Sequence, residues 1–259
     1  MEGAAAEAAA HEAEENPEVG MEEARAVPAP IPNQPTAKEI ETHNVAHTPY
    51  RAWCEACVRG RGRNADHKLL AAEGEHLVDT ISVDYAFFGE QDLTAKPVLI
   101  LREHRYRWTE ALPVPAKGGG DAWVVKIVTD MVKRTGLRKF IFKSDQETSI
   151  VDLKKKVEAE LGSNFEIIME VSPVNEHESN GTIERAVQTV GGMIRTHKLA
   201  LERAYGQTLG AGHAVVQWLI MHAAVMVSLF EIGSDGRTAY ERTRGKRYRQ
   251  ELPIFGECV

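Results

Sequence analysis

The sequence predicts an α/β domain, and three observations carry that reading. Of its 259 residues, 43% are apolar, enough to bury one substantial core. Short runs with an apolar repeat of two come first, and longer runs with a helical repeat follow. Glycine and proline punctuate the boundaries between them.

The first strand is read from "HLVDTISVDYAFFG", where Ile81, Val83 and Tyr85 alternate with Thr80, Ser82 and Asp84. "KPVLILRE" and "YRWTEALPVP" follow at a spacing that suits an antiparallel meander. "GGGDAWVVKIVTDMVKRTG" then repeats Trp123, Ile127, Val128, Met131 and Val132 at helical spacing and stops on glycine. "RKFIFKSD" predicts a short buried strand, "SIVDLKKKVEAELG" a second helix and "NFEIIMEVSP" a fifth strand. Two long helices close the order, over roughly 179–205, with Asn180 and Gly181 as turn and cap, and 212–232. The apolar run "AVVQWLIMHAAVMVSLF" is interrupted by Gln217, His222 and Ser228, so it predicts a buried core helix and no membrane span. Its His222, like His213 just before it, is read as a satisfied core or interface residue.

Residues 1–37 stand apart. They are Ala, Glu and Pro with almost no large apolar side chains, which predicts a disordered acidic tail. This tail holds eight acids and one base, so the net charge of −7 belongs to it, and residues 38–259 carry 30 of each sign. A balanced body argues against non-specific duplex binding unless its bases cluster. The N-terminus is acidic and lacks an apolar core, which excludes a signal peptide. Three cysteines, two of them in "CEAC", point to a metal or redox role in a reducing compartment.

Chemistry concentrates in two places. His43 and His47 are four residues apart, on one face if the stretch from Lys38 is helical, and Cys54 and Cys57 form a CxxC knuckle. Two imidazoles and two thiolates make a tetrahedral Zn²⁺ set. The adjoining Arg59, Arg61 and Arg63 read as a flexible basic loop suited to phosphate. In the body, Asp84 lies on the first strand, Asp145 directly follows the fourth and Glu184 sits early in the first long helix. Carboxylates converging from separate elements are what a two-metal phosphoryl transfer needs. Asp79 lies an odd number of residues from Asp84, on the opposite strand face. Glu147 is a lesser candidate two residues beyond Asp145, and Asp130 and Asp152 read as solvated helix face.

With "SVDY", "KSDQE" and "SPVNEHESNGTIERAV" in this order, residues 76–233 resemble the catalytic core of retroviral and retrotransposon integrases. Sixty residues separate Asp84 from Asp145, and 38 separate Asp145 from Glu184. The resemblance implies an RNase H-like fold, with a five-stranded mixed sheet flanked by helices. It implies a catalytic triad of Asp84, Asp145 and Glu184 holding Mg²⁺ or Mn²⁺, with DNA as substrate at both element ends and target. The His-His-Cys-Cys order of residues 38–70 is similar to the zinc module that precedes such cores, but only six residues join His47 to Cys54. So short a link can hold the pairs apart, which makes His67 an alternative to His43. "TAYERTRGKRYRQELPIFGE", within a basic extension over 234–259, is similar to the segment C-terminal to the core in copia-type polyproteins. The basic stretch holding Arg244, Lys246 and Arg247 reads as either a plain solvated loop or a phosphate-contacting extension; as an integrase-like protein the chain would contact nucleic acid there and through Arg185, form homo-oligomers and reside in the nucleus. Departures from the family pattern are Gln146–Glu147 after Asp145, and Gln188 and Gly191 where DNA-contacting bases are common. They leave two alternatives: a catalytically decayed binding module on the same fold, or a nuclease acting on RNA–DNA hybrids.

Overall fold

The computed structural model describes residues 35–61, 78–88, 96–172 and 177–257, with backbone alone for 177–179. Nearly all of the predicted tail, together with Arg63 and His67, lies outside the described residues. Gln34–Val259 form one compact unit.

Five strands make one open mixed sheet in the order β3-β2-β1-β4-β5. β1 (Thr80–Phe87), β2 (Pro97–Glu103) and β3 (Thr109–Pro113) form the antiparallel meander expected. β4 (Lys139–Ser144) and β5 (Glu166–Val171) run parallel to β1, reached through α3 (Ala122–Arg134) and α4 (Thr148–Leu161). Parallel neighbours need such helical crossovers, because a tight turn reverses the chain.

The alternation in the strands sorts side chains into two layers. Ile81, Val83 and Tyr85 of β1 join Leu99, Leu101, Phe140 and Phe142 on the face covered by α3 and α4. Ala86, Val98, Ile100 and Ala111 face the opposite way, onto α5 (His177–Tyr205) and α6 (Ala214–Phe230). Ile183, Ala186 and Val190 of α5 and Leu219, Ile220 and Ala223 of α6 complete that layer. Among the described residues no helix is long and apolar enough to cross a membrane; α6 buries one face on the sheet and on α5, but Trp218, Met221 and Val225 stay exposed, so it is not the fully buried helix the sequence predicts.

Local departures from the sequence reading have physical causes. The first long helix begins at His177, so Asn180 and Gly181 lie inside it rather than capping it. Asn180 is held by the Ser172 hydroxyl, which donates to its Oδ1 at 2.5 Å. The buried stripe of α3 is Val124, Val128, Met131 and Val132, and Trp123 in its first turn is 51% exposed. Asp121 caps this helix, accepting from the Trp123 amide. His213 is the N-cap of α6, its Nδ1 accepting from the Val215 amide.

Two short helices flank the His/Cys link, and only the first was legible in the sequence. α1 (Ala37–Ala46) opens with a capping box between Thr36 and Glu39, so ordered structure begins before residue 38. α2 (Glu55–Arg61) docks on the middle of α5, where Gly60 carries the closest approach. The Gly60 carbonyl accepts from Arg195 Nε at 3.1 Å, and a Cβ on Gly60 would lie 2.7 Å from the backbone Cα and N of Thr196. In the basic extension, α7 (Ala239–Arg244) carries a second capping box, Thr238 with Glu241. Ala46, Met226 and Leu229 form a third small core with Tyr240, Tyr248 and Leu252.

Gly60→Ala therefore forces α2 off α5. The expected loss is about 1–3 kcal/mol, as for other overpacked sites, read as a lower midpoint in denaturant unfolding. An unchanged midpoint would mean that α2 does not dock as described.

Candidate functional site

The His/Cys segment closes on itself. α1 presents His43 toward its C-terminal end, and His47 ends the helix in the left-handed conformation (φ 50°), turning the chain back. This reversal brings Cys54 and the first turn of α2 against α1, so the six-residue link suffices and the expectation that it would separate the pairs is corrected. His43 Nε2 lies 3.3 Å from Cys57 Sγ, and His47 Nδ1 lies 3.4 Å from Cys54 Sγ and 3.9 Å from Cys57 Sγ. All four ligand atoms fall within 4.8 Å of one another, and all four residues are buried. Zinc bonds near 2.3 Å to sulfur and 2.0–2.1 Å to nitrogen put N and S roughly 3.5 Å apart in a tetrahedron, close to the three N–S distances seen here, so the quartet could hold zinc. His43 fills the position for which His67 was an alternative.

The two thiols are electrostatically unequal. A hydrogen bond with Cys54 holds the Cys57 thiol well below the ordinary cysteine range, with further bonds from His43, His47 and Arg61 acting against its burial. The same bond to Cys57 and burial push the Cys54 thiol up. A thiolate is the form that binds metal. Arg61 donates to the His47 carbonyl and, at 3.5 Å, to Cys57 Sγ. Arg59 and Arg61 thus belong to a helix rather than a flexible loop, and Arg61 is turned toward the quartet. Arg59 is exposed and paired with Glu55 at 3.5 Å.

The carboxylates are placed by the sheet. Thr80–Ser82 pair in parallel with Ile141–Lys143, and the same register carried on by two residues sets Asp84 opposite Asp145. Asp84 shares strand parity with Ala86, so it belongs to the face covered by α5. Glu184 stands on α5 directly after Ile183, which is buried in the same layer as Ala86. Burial raises the Asp84 carboxyl to about 6; the Tyr85 amide, donating at 2.7 Å, opposes the rise, and the charges of Asp145 and Glu147 add to it. Glu147 pairs with Lys117 at 2.8 Å, and its amide donates to Asp145 Oδ1 at 3.1 Å. Asp79 lies outside this group and pairs with Arg105 at 3.3 Å. Asp152 accepts from the Gly119 amide at 3.0 Å. Among the described residues, the His/Cys quartet is the one set of three or more His, Cys, Asp or Glu whose ligand atoms converge. The structure brings Asp84, Asp145 and Glu147 into electrostatic contact, and Glu184 stands exposed on α5, which covers the sheet face of Asp84.

Lys154 was missed in the sequence, where it is one of three consecutive lysines. It is 1% exposed, and its Nζ donates to Ser144 Oγ at 3.1 Å and to the Glu170 carbonyl at 2.7 Å. Ser144 Oγ in turn donates to the Asp145 carbonyl at 2.9 Å. Burial lowers the lysine to about 8, against the opposing charges of Glu170 and Asp145. Of the predicted nucleic-acid contacts, Arg185, Arg244, Lys246 and Arg247 are exposed, and Arg247 pairs with Glu241 at 2.9 Å.

No protein-family profile matches the chain, and no curated protein matches it.

Asp84 gives a pH signature. Its folded value lies above the ordinary 3.8, so the folded state holds the proton more tightly and loses stability as pH rises from about 4 through about 6. Without added Mg²⁺ or Mn²⁺, Asp84→Asn should match wild type below pH 4 and exceed it above pH 6, by on the order of 2 kcal/mol. Thermal unfolding across pH checks this, and an equal loss at every pH would contradict it.

Proposed function

We propose that the chain is an integrase-like polynucleotidyl transferase that acts on DNA with Mg²⁺ or Mn²⁺, on an RNase H-like fold. The observation that carries the reading is the electrostatic contact of Asp84, on β1, with Asp145, directly after the adjacent parallel strand β4, beside the sheet face covered by the helix that bears Glu184. The strand order β3-β2-β1-β4-β5 with β2 antiparallel supports it as well. Burial raises the Asp84 carboxyl and the charges of Asp145 and Glu147 add to the rise, and a divalent cation would offset that repulsion. Bound there, the cations would supply charge stabilisation to the attacking and leaving oxygens of an in-line displacement.

On this reading Asp84 and Asp145 hold the metal from the sheet, and Glu184 closes on it from α5. Lys154, through Ser144, fixes the backbone that carries Asp145. Lys117 stands beside Asp84 and Glu147, where a phosphate would meet its charge. Arg185, next to Glu184, and the exposed Arg244, Lys246 and Arg247 supply phosphate contacts for element ends and target DNA. The quartet holds zinc as a structural module. Assembly as a homo-oligomer and residence in the nucleus belong to the same proposal.

A second reading is a non-catalytic nucleic-acid or protein-binding module. It is favoured by the quartet being the one converged ligand set among the described residues. DNA 3′-end processing and strand transfer, assayed with Mg²⁺ and Mn²⁺, separate the two. The transferase reading expects turnover that Glu184→Gln lowers on the order of 1,000-fold, with DNA binding retained. Binding without turnover in wild type would support the module, and turnover confined to RNA–DNA hybrids would support a nuclease.

A further inference from the structure

Four histidines stand in a row that begins at the metal-binding quartet. His43 meets His47 with 5.2 Å between ring centroids, His47 meets His197 of α5 at 5.1 Å, and His197 meets His222 of α6 at 5.2 Å. Each pair is close to perpendicular. His47 and His197 are 2% and 3% exposed. The Nε2 atoms of His47, His197 and His222 are all buried without a hydrogen-bond partner among the described residues. One such orphan costs about 1–3 kcal/mol, so three on adjoining rings call for polar partners.

Metal binding defines what that link must do. His47 turns Nδ1 toward both sulfurs, so a metal held there leaves the neutral ring with its proton on Nε2. Ligating imidazoles ordinarily donate that proton to a partner, which fixes the ring's orientation and raises its basicity. Of the two histidine rings against His47, His43 is itself a ligand, with Nε2 on Cys57. His197 remains, with an unpartnered nitrogen of its own.

We propose that His197 is the positioning residue of the metal centre: its neutral imidazole accepts the Nε2 proton of His47, after a ring turn or through one buried water, and His222 extends the link to α6. The proposal rests on reading the quartet as a metal centre, and it is independent of any transferase activity. Its consequence is that the N-terminal centre is wired into the two long helices of the core, one of which carries Glu184. His222, read from sequence as a satisfied core residue, is then the far end of a polar row.

The test uses the full chain and two variants. Zn²⁺ affinity is measured by competition with a chromophoric chelator, and Co²⁺ substitution reports the ligand field. His197→Phe keeps a ring in the row but removes both nitrogens. It should bind Zn²⁺ about 10–100-fold more weakly and shift the Co²⁺ absorption bands, while metal-free unfolding stays near that of wild type. His197→Gln returns an acceptor and should recover part of the affinity. His197→Met, flexible and without a nitrogen, gives the same readout if Phe cannot be accommodated. Affinity within about twofold of wild type in the folded Phe or Met variant would overturn the proposal while leaving the metal centre intact. Absence of zinc uptake by wild type would overturn both.

Discussion

Parallel pairing of β1 with β4 is the constraint on which the rest depends. A parallel neighbour must be reached by a crossover, and α3 provides it on one face of the sheet, leaving the other to α5 and α6. The same register fixes which residues leave the two strands at the same height. Asp84 and Asp145 continue that register, and burial, with a smaller contribution from the charges of Asp145 and Glu147, raises the Asp84 carboxyl. Repulsion between fixed carboxylates is an unfavourable term that a protein without a bound cation must absorb elsewhere. Lys154 is part of that compensation: a cation buried under the end of β4 whose charge acts on Asp145 and whose Nζ is also linked to it through Ser144.

Helix α5 joins the two chemical centres. Its first turns lie over the sheet face that carries Asp84, and its middle receives α2 through Gly60, Arg195 and Thr196. Arg61 packs beside Gly192 and holds the His47 carbonyl, so the reversal that closes the quartet is anchored on this helix. The His/Cys segment is therefore built into the unit that holds the sheet rather than hung from it. Zinc binding within such an arrangement would brace the helix as well as the segment, since metal affinity gained by the folded state is folding stability.

Much of this was legible where the signal is local. Alternation in "TISVDY" and helical spacing in "AWVVKIVTDMVKR" reflect the faces that the side chains bury. The quartet was legible because His–x3–His and Cys–x2–Cys each fix a pair on its own element. Its closure was not, since it turns on the left-handed conformation of His47, which no composition signals. α2 spans two turns, too short to show a repeat, and so the inward turn of Arg61 was hidden with it. Trp123 looked like core by spacing, yet it sits in the first turn of α3, off the stripe that the sheet covers. Lys154 and the row from His47 to His222 depend on contacts between residues far apart in sequence. Those contacts exist only after the helices pack.

The central proposal is that the parallel β1–β4 pairing prepares a divalent-cation site between Asp84 and Asp145. Anomalous diffraction from crystals soaked in Mn²⁺ measures this directly. The account predicts a peak within roughly 2.0–2.6 Å of carboxylate oxygens from both residues. A peak at the His/Cys quartet alone, with no Mn²⁺ at Asp84, would contradict it.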